Sequence, residues 1–449
     1  MIFLYKKMAW NKPIYSALFS AMLISASTFF VSCQSRQGKS EDDVQKKLEI
    51  RLKNLSPIAL EEKAISIPRD SLRQIDKSNV YPLVLGEKGD TIPAQLDDLD
   101  GDGEWDELFF LLDFAAKEQT KISLDWISEK IDFQKRTNIR FGVRDSLDSQ
   151  VKPASSDTFY ADELPGVMGY QPYQTDGPSW ENDKVGFRHY LDGRNSKDVF
   201  GKKISAMSPD SVGINKEGVT EDDYHVMEDW GRDILSVGKS VGIGGFGLKI
   251  GDTLARIGVT QADSLNNVDQ TRFEILSDGH IRALMQYEYK NWQPEAFERS
   301  YEVNELSSIW PGMYAFKNQV SFNGLKGDEI AVVGLVNSNT EKPLTSLKVG
   351  DYTVLFTHDK QTYDKEWYLG LALLVPNEIF IGYSEAPKEG RFSQTYVAEL
   401  ELQDTKPIEY FAIAAWELSD PGFAKESYFK DYLIGLANQL SAEIEFSVQ

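Results

Sequence analysis

Ile281–Lys290 reads IRALMQYEYK, and this stretch decides the fold class. Ile281, Ala283, Met285, Tyr287 and Tyr289 fall on one face of an extended chain, and Arg282, Gln286, Glu288 and Lys290 fall on the other. A two-residue period of this kind belongs to a half-buried β-strand. The pattern returns in YVAELELQ, where Ala398, Leu400 and Leu402 oppose Glu399 and Glu401. EIAVVGLV, YTVLF, WYLGLALLV and IEYFAIAAW are further strand candidates, punctuated by Gly, Asn and Asp. Strands do not alternate with long helices, which argues against a doubly wound parallel sheet. The sequence therefore predicts a mainly β chain built from antiparallel sheets. One helix is expected near the C-terminal end, where Phe429, Tyr432, Leu433, Leu436 and Leu440 form an apolar stripe.

The chain has 449 residues, enough for one large or two ordinary domains. The stretch SLDSQVKPASSDTFYADELPG, rich in Ser, Asp and Pro, marks the expected boundary. It separates a small N-terminal β-domain over 47–150 from a larger β-domain over 151–449. Hydrophobic residues make up 41% of the chain and aromatics 12%, so wholesale disorder is excluded. The formal net charge of −22 gives no overall basic footprint for nucleic acid.

Residues 1–33 read as an export signal. MIFLYKKMAWNK supplies positive charge, PIYSALFSAMLISASTFFV supplies the apolar segment, and Ser32 precedes Cys33. Cys33 is the single cysteine, which rules out a disulfide within the chain. FVSC resembles a relaxed lipoprotein lipobox, with Cys33 as the lipidated residue. Residues 34–46 would then be a polar tether, and the rest of the chain an exported lipoprotein, periplasmic or at the outer membrane.

The densest charge lies in QLDDLDGDGEWDELFFLLDF, Gln95 to Phe114. Asp98, Asp100, Asp102 and Asp106 follow the pattern D-x-D-x-D-G-x-x-D. Alternate carboxylates in a tight loop can converge on one cation, and Gly103 permits the turn. A helix–loop–helix calcium hand wants a glutamate where Phe109 stands. The loop instead resembles calcium loops between β-strands, with Glu104 offering its backbone carbonyl. The expectation is structural Ca2+; the alternative is a solvated acidic turn.

Gly242-x-Gly244-x-x-Gly247 matches a dinucleotide fingerprint in letters only, because FGLKIGDTLARIG reads as strand and turn rather than helix. The GKS at Gly238–Ser240 lacks the P-loop glycine, since position 233 is Asp.

Two stretches combine aromatic and hydrogen-bonding groups in a way that suits sugars. They are YQPYQTDGPSWENDKVGFRHYLDGRN, Tyr170 to Asn195, and DDYHVMEDWGRDILSVGKS, Asp222 to Ser240. They carry His189 and His225, with Trp180, Glu181, Arg188, Tyr190, Tyr224, Asp229, Trp230, Arg232 and Lys239. Asp229 would orient His225 if that segment were helical. His280 and His358 sit at turn signals and read as structural.

SWENDKVGFRHYLDGRNSKDVFGK, YHVMEDWGRDILSVGKSVGIGGFGL, the acidic loop and YFAIAAWELSDPGF together resemble the signatures of an exported bacterial family catalogued as a domain of unknown function (DUF4861-like). The resemblance covers most of the chain beyond the export signal. It implies a mutarotase-like β-supersandwich for the larger domain. It also implies a place in polysaccharide utilisation on uronate-containing glycans such as ulvan or pectin. One branch resembles oligosaccharide dehydratases, which eliminate water from a terminal uronic acid. For that reaction Tyr224 or His225 is the expected base, His189 the acid, and Arg188 the clamp on the carboxylate. Trp180, Glu181, Tyr190, Asp229, Trp230 and Lys239 are the expected substrate contacts. The rival readings are a polysaccharide lyase, a glycoside hydrolase using Glu181 and Asp229, and a non-catalytic glycan-binding lipoprotein.

Overall fold

The computed structural model describes residues 47–72, 80–146, 148–164, 172–260 and 263–449. In it the opening stretch becomes the strand Ala283–Trp292, with Met285, Tyr287 and Tyr289 buried. This strand lies third in a nine-stranded antiparallel sheet. In spatial order the sheet runs Ser156–Tyr160, Val268–Asp278, Ala283–Trp292, Tyr301–Ile309, Ala315–Asn323, Ile408–Trp416, Leu369–Pro376, Tyr352–Asp359 and Thr345–Val349.

Two five-stranded sheets share one apolar core with it. The first contains Gly231–Asp233, Lys197–Lys202, Val185–His189, Ser179–Asn182 and Thr137–Arg140. The second contains Thr253–Arg256, Ile243–Ile250, Glu329–Val336, Thr395–Leu400 and Phe380–Glu385. They meet where Lys197 pairs with Gly242 in a parallel bridge. Gly242 has a φ of 73°, and a Cβ there would lie 1.8 Å from the Lys197 carbonyl oxygen. Glycine is needed for this backbone contact, which accounts for part of the glycine-rich run without a nucleotide.

Between the sheets pack Trp180, Phe187, Ile243, Leu248 and Val333 with Phe316, Tyr287 and Ala412. The core also holds a buried ion pair. Lys197 Nζ lies 2.6 Å from Glu305, which accepts further bonds from Tyr289 Oη (2.8 Å) and Asn318 Nδ2 (2.8 Å). The expected helix is Glu426–Ser441. It buries Phe429, Leu433 and Leu436, and the Phe429 ring occupies the space beside Gly370, where a Cβ would come within 2.5 Å.

A smaller sandwich has its own core, with Ile50, Leu52, Ile67, Val84, Leu108, Phe110 and Leu124 at its centre. One sheet is Ile444–Val448, Leu48–Asn54, Gln119–Ile127, Tyr81–Leu85 and Thr91–Ile92; the other is Leu60–Pro68, Glu107–Phe114 and Ala94–Asp97. The two cores do not part at residue 150 as expected. Thr137–Arg140 already pairs with Ser179–Asn182 in the large assembly, and Ile444–Val448 returns to pair with Leu48–Asn54.

Arg282, expected on a polar face, is buried where the two sandwiches meet. It donates to Asp97 (2.7 Å) and Glu107 (2.5 Å), and its guanidinium lies 4.0 Å from the Phe109 ring centroid. Gln95 accepts from the backbone N–H groups of Ile281 and Arg282 (3.1 and 3.0 Å). The small sandwich therefore covers this face at Arg282, while Gln286, Glu288 and Lys290 further along it stay part-exposed or exposed.

Candidate functional site

The strand Val185–His189 sends its side chains to opposite faces of its sheet. Arg188 points outward and is fully buried beneath the segment that carries Tyr224 and Trp230. Its guanidinium pairs with Asp198, with Asp233 at 2.8 Å and with Asp176 at 3.7 Å. Tyr190 and Tyr224 lie 4.3 and 4.9 Å from the guanidinium, measured to the ring centroids. Burial and the neighbouring Asp198 push the Asp233 carboxyl well up, against the pull of Arg188. Arg188 is thus engaged by protein carboxylates, and the expected uronate clamp is corrected to a structural anchor.

Tyr224 is buried and donates to Asp176 at 3.0 Å. Burial pushes its hydroxyl pKa up, which makes it a poor base. His189 faces inward. It has no exposed surface, lies 4.3 Å from the Tyr287 ring centroid, and has Nε2 3.3 Å from Asn195 Oδ1. Burial, then Lys197, lowers its pKa to about 3. A neutral, enclosed imidazole cannot serve as acid to a substrate. His225 is exposed, with Asp222 at 3.6 Å. Its segment is not helical, so the expected orientation by exposed Asp229 does not form. The two histidines therefore lie on opposite sides of one sheet and share no cleft.

Trp180 stacks on Phe187 (5.8 Å) and meets Phe316 edge-on (5.3 Å) in the core. Trp230 is buried against Phe200 at 6.0 Å. Neither is a sugar platform. Glu181 is held by Lys202 (2.5 Å), Arg140 (3.1 Å) and Ser208. Burial alone would raise its pKa, but Lys202 and Arg140 outweigh it and leave the carboxylate lowered. Tyr190 Oη donates to Asp198 at 2.9 Å and is likewise enclosed. His358 accepts its structural reading: its Nε2 lies 2.7 Å from the Phe423 carbonyl oxygen.

Lys239 is exposed and lines a cavity of about 760 Å³. The same cavity is lined by Arg194, Arg256, Lys388, Arg391 and Ser393. Arg256 is buried at the end of the strand Thr253–Arg256 and donates only to neutral acceptors. These are the carbonyls of Arg194 (2.8 Å), Lys239 (3.0 Å) and Arg391 (3.2 Å), and Ser196 Oγ (2.5 Å). The guanidinium thereby ties three walls of the pocket together, yet no carboxylate among the described residues pairs with it. Burial and the nearby Arg194 lower its pKa to about 9, which leaves it charged at neutral pH.

Arg194 is paired with Asp192 at 2.7 Å, and Arg391 with Asp263 at 3.0 Å and with Glu295. Lys239 and Lys388 have no ion-pair partner among the described residues. The Ser393 hydroxyl is buried and unpartnered among them. Glu389 also lines the pocket. The five cations, Arg194, Lys239, Arg256, Lys388 and Arg391, thus face four carboxylates, Asp192, Asp263, Glu295 and Glu389, and the concave site keeps one positive charge in excess. Sequence reasoning found Lys239 and missed the other four cations. Lys388 and Arg391 share one loop, but Arg194 and Arg256 come from a distant turn and a strand end, and no spacing links these three segments.

Asp98, Asp100 and Asp106 each bring one carboxylate oxygen within 4.8 Å of the others. Asp98 accepts from Gly101 N (2.7 Å) and Gly103 N (2.8 Å), which closes the loop between Ala94–Asp97 and Glu107–Phe114. Asp102 lies outside this group and accepts from Glu104 N (2.8 Å), while the Glu104 side chain pairs with Arg69 at 2.8 Å. Cys33 and the expected signal and tether lie outside the described residues.

The fold and the site define a large antiparallel β-sandwich protein with a pocket lined mainly by basic side chains. The family catalogued as Domain of unknown function (DUF4861) matches residues 52–445, and the chain belongs to it. The chain is also similar to Uncharacterized protein P7 of Formosa agariphila, at 25% identity over 294 residues, covering 62% of this chain and 69% of that protein. Among solved structures it is similar to an alpha-mannosidase from Enterococcus faecalis V583 and to a protein in glycosyl hydrolase family 38 from Enterococcus faecalis. Each has a TM-score of 0.46 and 10% identity and covers 90% of this chain. The chain spans 46% and 48% of the length of those two structures.

Proposed function

We propose that the chain is a carbohydrate-active enzyme that eliminates water from the terminal uronic acid of an oligosaccharide, with the basic pocket receiving the uronate. The observation that carries this reading is the buried Arg256, which pairs with no carboxylate among the described residues, in a pocket that keeps a small excess of positive charge within a chain of net charge −22. A carboxylate is the group that a uronate-bearing glycan would bring there. The elimination needs few parts. A base takes the proton from the carbon beside the carboxylate. The freed electron pair forms a C=C bond as the hydroxyl on the next carbon departs, protonated, as water. Fixed positive charge stabilises the enolate-like charge that builds on the carboxylate. This reading assigns those proton transfers to Lys239 and Lys388, one as neutral amine taking the proton and the other as ammonium giving one, with Arg194 and Arg256 supplying the field.

Incubation with a panel of uronate oligosaccharides, read by mass and ultraviolet absorbance, tests the reading. The expected product has an unsaturated terminus and unchanged chain length. Lys239→Ala with Lys388→Ala is expected to lower turnover by about tenfold or more, with the melting temperature unchanged. Shortened products would replace the reading with a lyase or hydrolase. An unchanged glycan that still binds would leave a binding protein, a reading favoured by the enclosure of His189, Arg188 and Tyr224.

For the acidic loop the proposal is a structural calcium ion held by Asp98, Asp100 and Asp106, stiffening a hairpin of the small sandwich. For residues 1–46 it is export and lipid anchoring at Cys33. Labelled fatty acid should enter the wild type and not Cys33→Ala, and equal labelling of both would defeat the anchor.

A further inference from the structure

The buried ion pair of the large core belongs to a polar group that the carbohydrate reading does not use. Lys197, Glu305, Ser307 and Asn318 have no exposed surface. Lys197 opens the strand Lys197–Lys202 of one sheet. Glu305 and Ser307 lie on Tyr301–Ile309 of the nine-stranded sheet, and Asn318 lies on its neighbour Ala315–Asn323.

Both an amine and an amide nitrogen touch the same oxygen, Glu305 Oε1. Lys197 Nζ lies 2.6 Å from it, and Asn318 Nδ2 donates to it at 2.8 Å. The Lys197 contact is too far off line for a hydrogen bond, and Nζ has no other hydrogen-bond partner among the described residues. Ser307 Oγ donates to the Asn318 carbonyl oxygen at 2.6 Å and so polarises that carbonyl. Tyr289 Oη donates to the second oxygen of Glu305, which fixes the carboxyl. A nucleophilic amine, a proton carrier and a carboxamide with a donor on its oxygen are the parts of an amide exchange.

We propose that Lys197 Nζ forms an amide bond with Asn318 Cγ inside the folded chain, with Glu305 carrying protons and Ser307 stabilising the oxyanion. Lys197 passes a proton to Glu305, and the neutral amine adds to Cγ. The carbonyl electron pair moves onto Oδ1, which Ser307 Oγ holds. Glu305 delivers the proton to Nδ2, the Cγ–Nδ2 bond breaks and the carbonyl re-forms as ammonia departs. A second proton leaves the attacking nitrogen through the same carboxylate and converts the ammonia to ammonium. Glu305 ends as a carboxylate, and nothing is oxidised or reduced. Burial alone would raise the Glu305 carboxyl, but Lys197 and its hydrogen bonds leave it lowered, so the resting pair is ionised. The bond forms once per molecule, and slow passage through the neutral pair is enough. The product ties two sheets together and keeps a long loop closed even in the unfolded chain.

Tryptic digestion of the denatured full chain, read by mass spectrometry, tests the proposal. Trypsin cuts after a free Lys197 and not after an acylated one. The expected species is residues 195–202 joined to residues 318–326, at their summed mass less one ammonia, about 17 Da. Wild-type protein that yields both segments unlinked overturns the proposal, as does an ammonia loss confined to one of them. This readout needs no variant to fold. Glu305→Gln is expected to leave the segments unlinked, and a linked pair in that variant would overturn the role of Glu305. Neither result bears on uronate turnover, which is read separately.

Discussion

Arg188 and Arg256 are both buried guanidiniums, and their partners give them different uses. Arg188 meets the carboxylates of Asp176, Asp198 and Asp233, so its charge is spent inside the protein. Arg256 meets carbonyls and a hydroxyl, and no carboxylate among the described residues pairs with it. Nothing in the residue letter separates these cases, and the carboxylates that enclose Arg188 come from positions 176, 198 and 233, which no local pattern links to it. His189 was misplaced for a related reason. It follows Arg188, and the two-residue period sends it into the core. Its depressed pKa carries a stability consequence. Below the ordinary histidine pKa of 6.5 the unfolded chain takes up a proton that the folded chain refuses until about pH 3. Stability contributed by this group is therefore present above pH 6.5 and lost as pH falls towards 3. Between pH 7 and pH 5 the loss is about 2 kcal/mol. Chemical denaturation at the two pH values should show a smaller drop in His189→Gln than in the wild type. Equal drops would mean that His189 is protonated in the fold.

The elements were easier to read than the site. Strand alternation in Tyr301–Ile309 and Ala283–Trp292, and the stripe of Glu426–Ser441, are local patterns that burial enforces. The segment around Tyr224–Asp229 was harder. Its i,i+4 spacing suggested a helical pair, but it runs as irregular chain over the sheet, pinned by Phe200, Val212, Tyr224 and Trp230. In the acidic hairpin loop, three of the four aspartates of the pattern are grouped and Asp102 is not. The three grouped aspartates repel one another, and the proposed calcium ion would relieve that repulsion. Millimolar calcium is expected to raise the melting temperature by a few degrees, and Asp100→Asn with Asp106→Asn to remove the shift. If chelator and calcium give superimposable melts of the wild type, the loop is a solvated turn.

At the scale of the whole molecule, the residue ranges of the two cores were not legible, because their boundary is set by pairing across long separations. Thr137–Arg140 joins a sheet with Ser179–Asn182, and Ile444–Val448 joins one with Leu48–Asn54. No local pattern announces either. Ile444, Phe446 and Val448 pack partly buried on the small core. Removing residues 443–449 is expected to cost about 3 kcal/mol from the lost apolar burial. Denaturant titration of that truncation checks the figure, and a midpoint equal to wild type would mean that the last strand is dispensable.

The pairing of Leu48–Asn54 with Ile444–Val448 also sets an order of events during synthesis. The first of the described strands to leave the ribosome has Gln119–Ile127 for one neighbour early on, but its other edge stays open until residues 444–448 have been made. Until then a nascent chain carries an unpaired β-edge, and such edges recruit foreign strands. Ribosome-stalled chains that stop before residue 444 should be markedly more sensitive to protease at Leu48–Asn54 than the released protein.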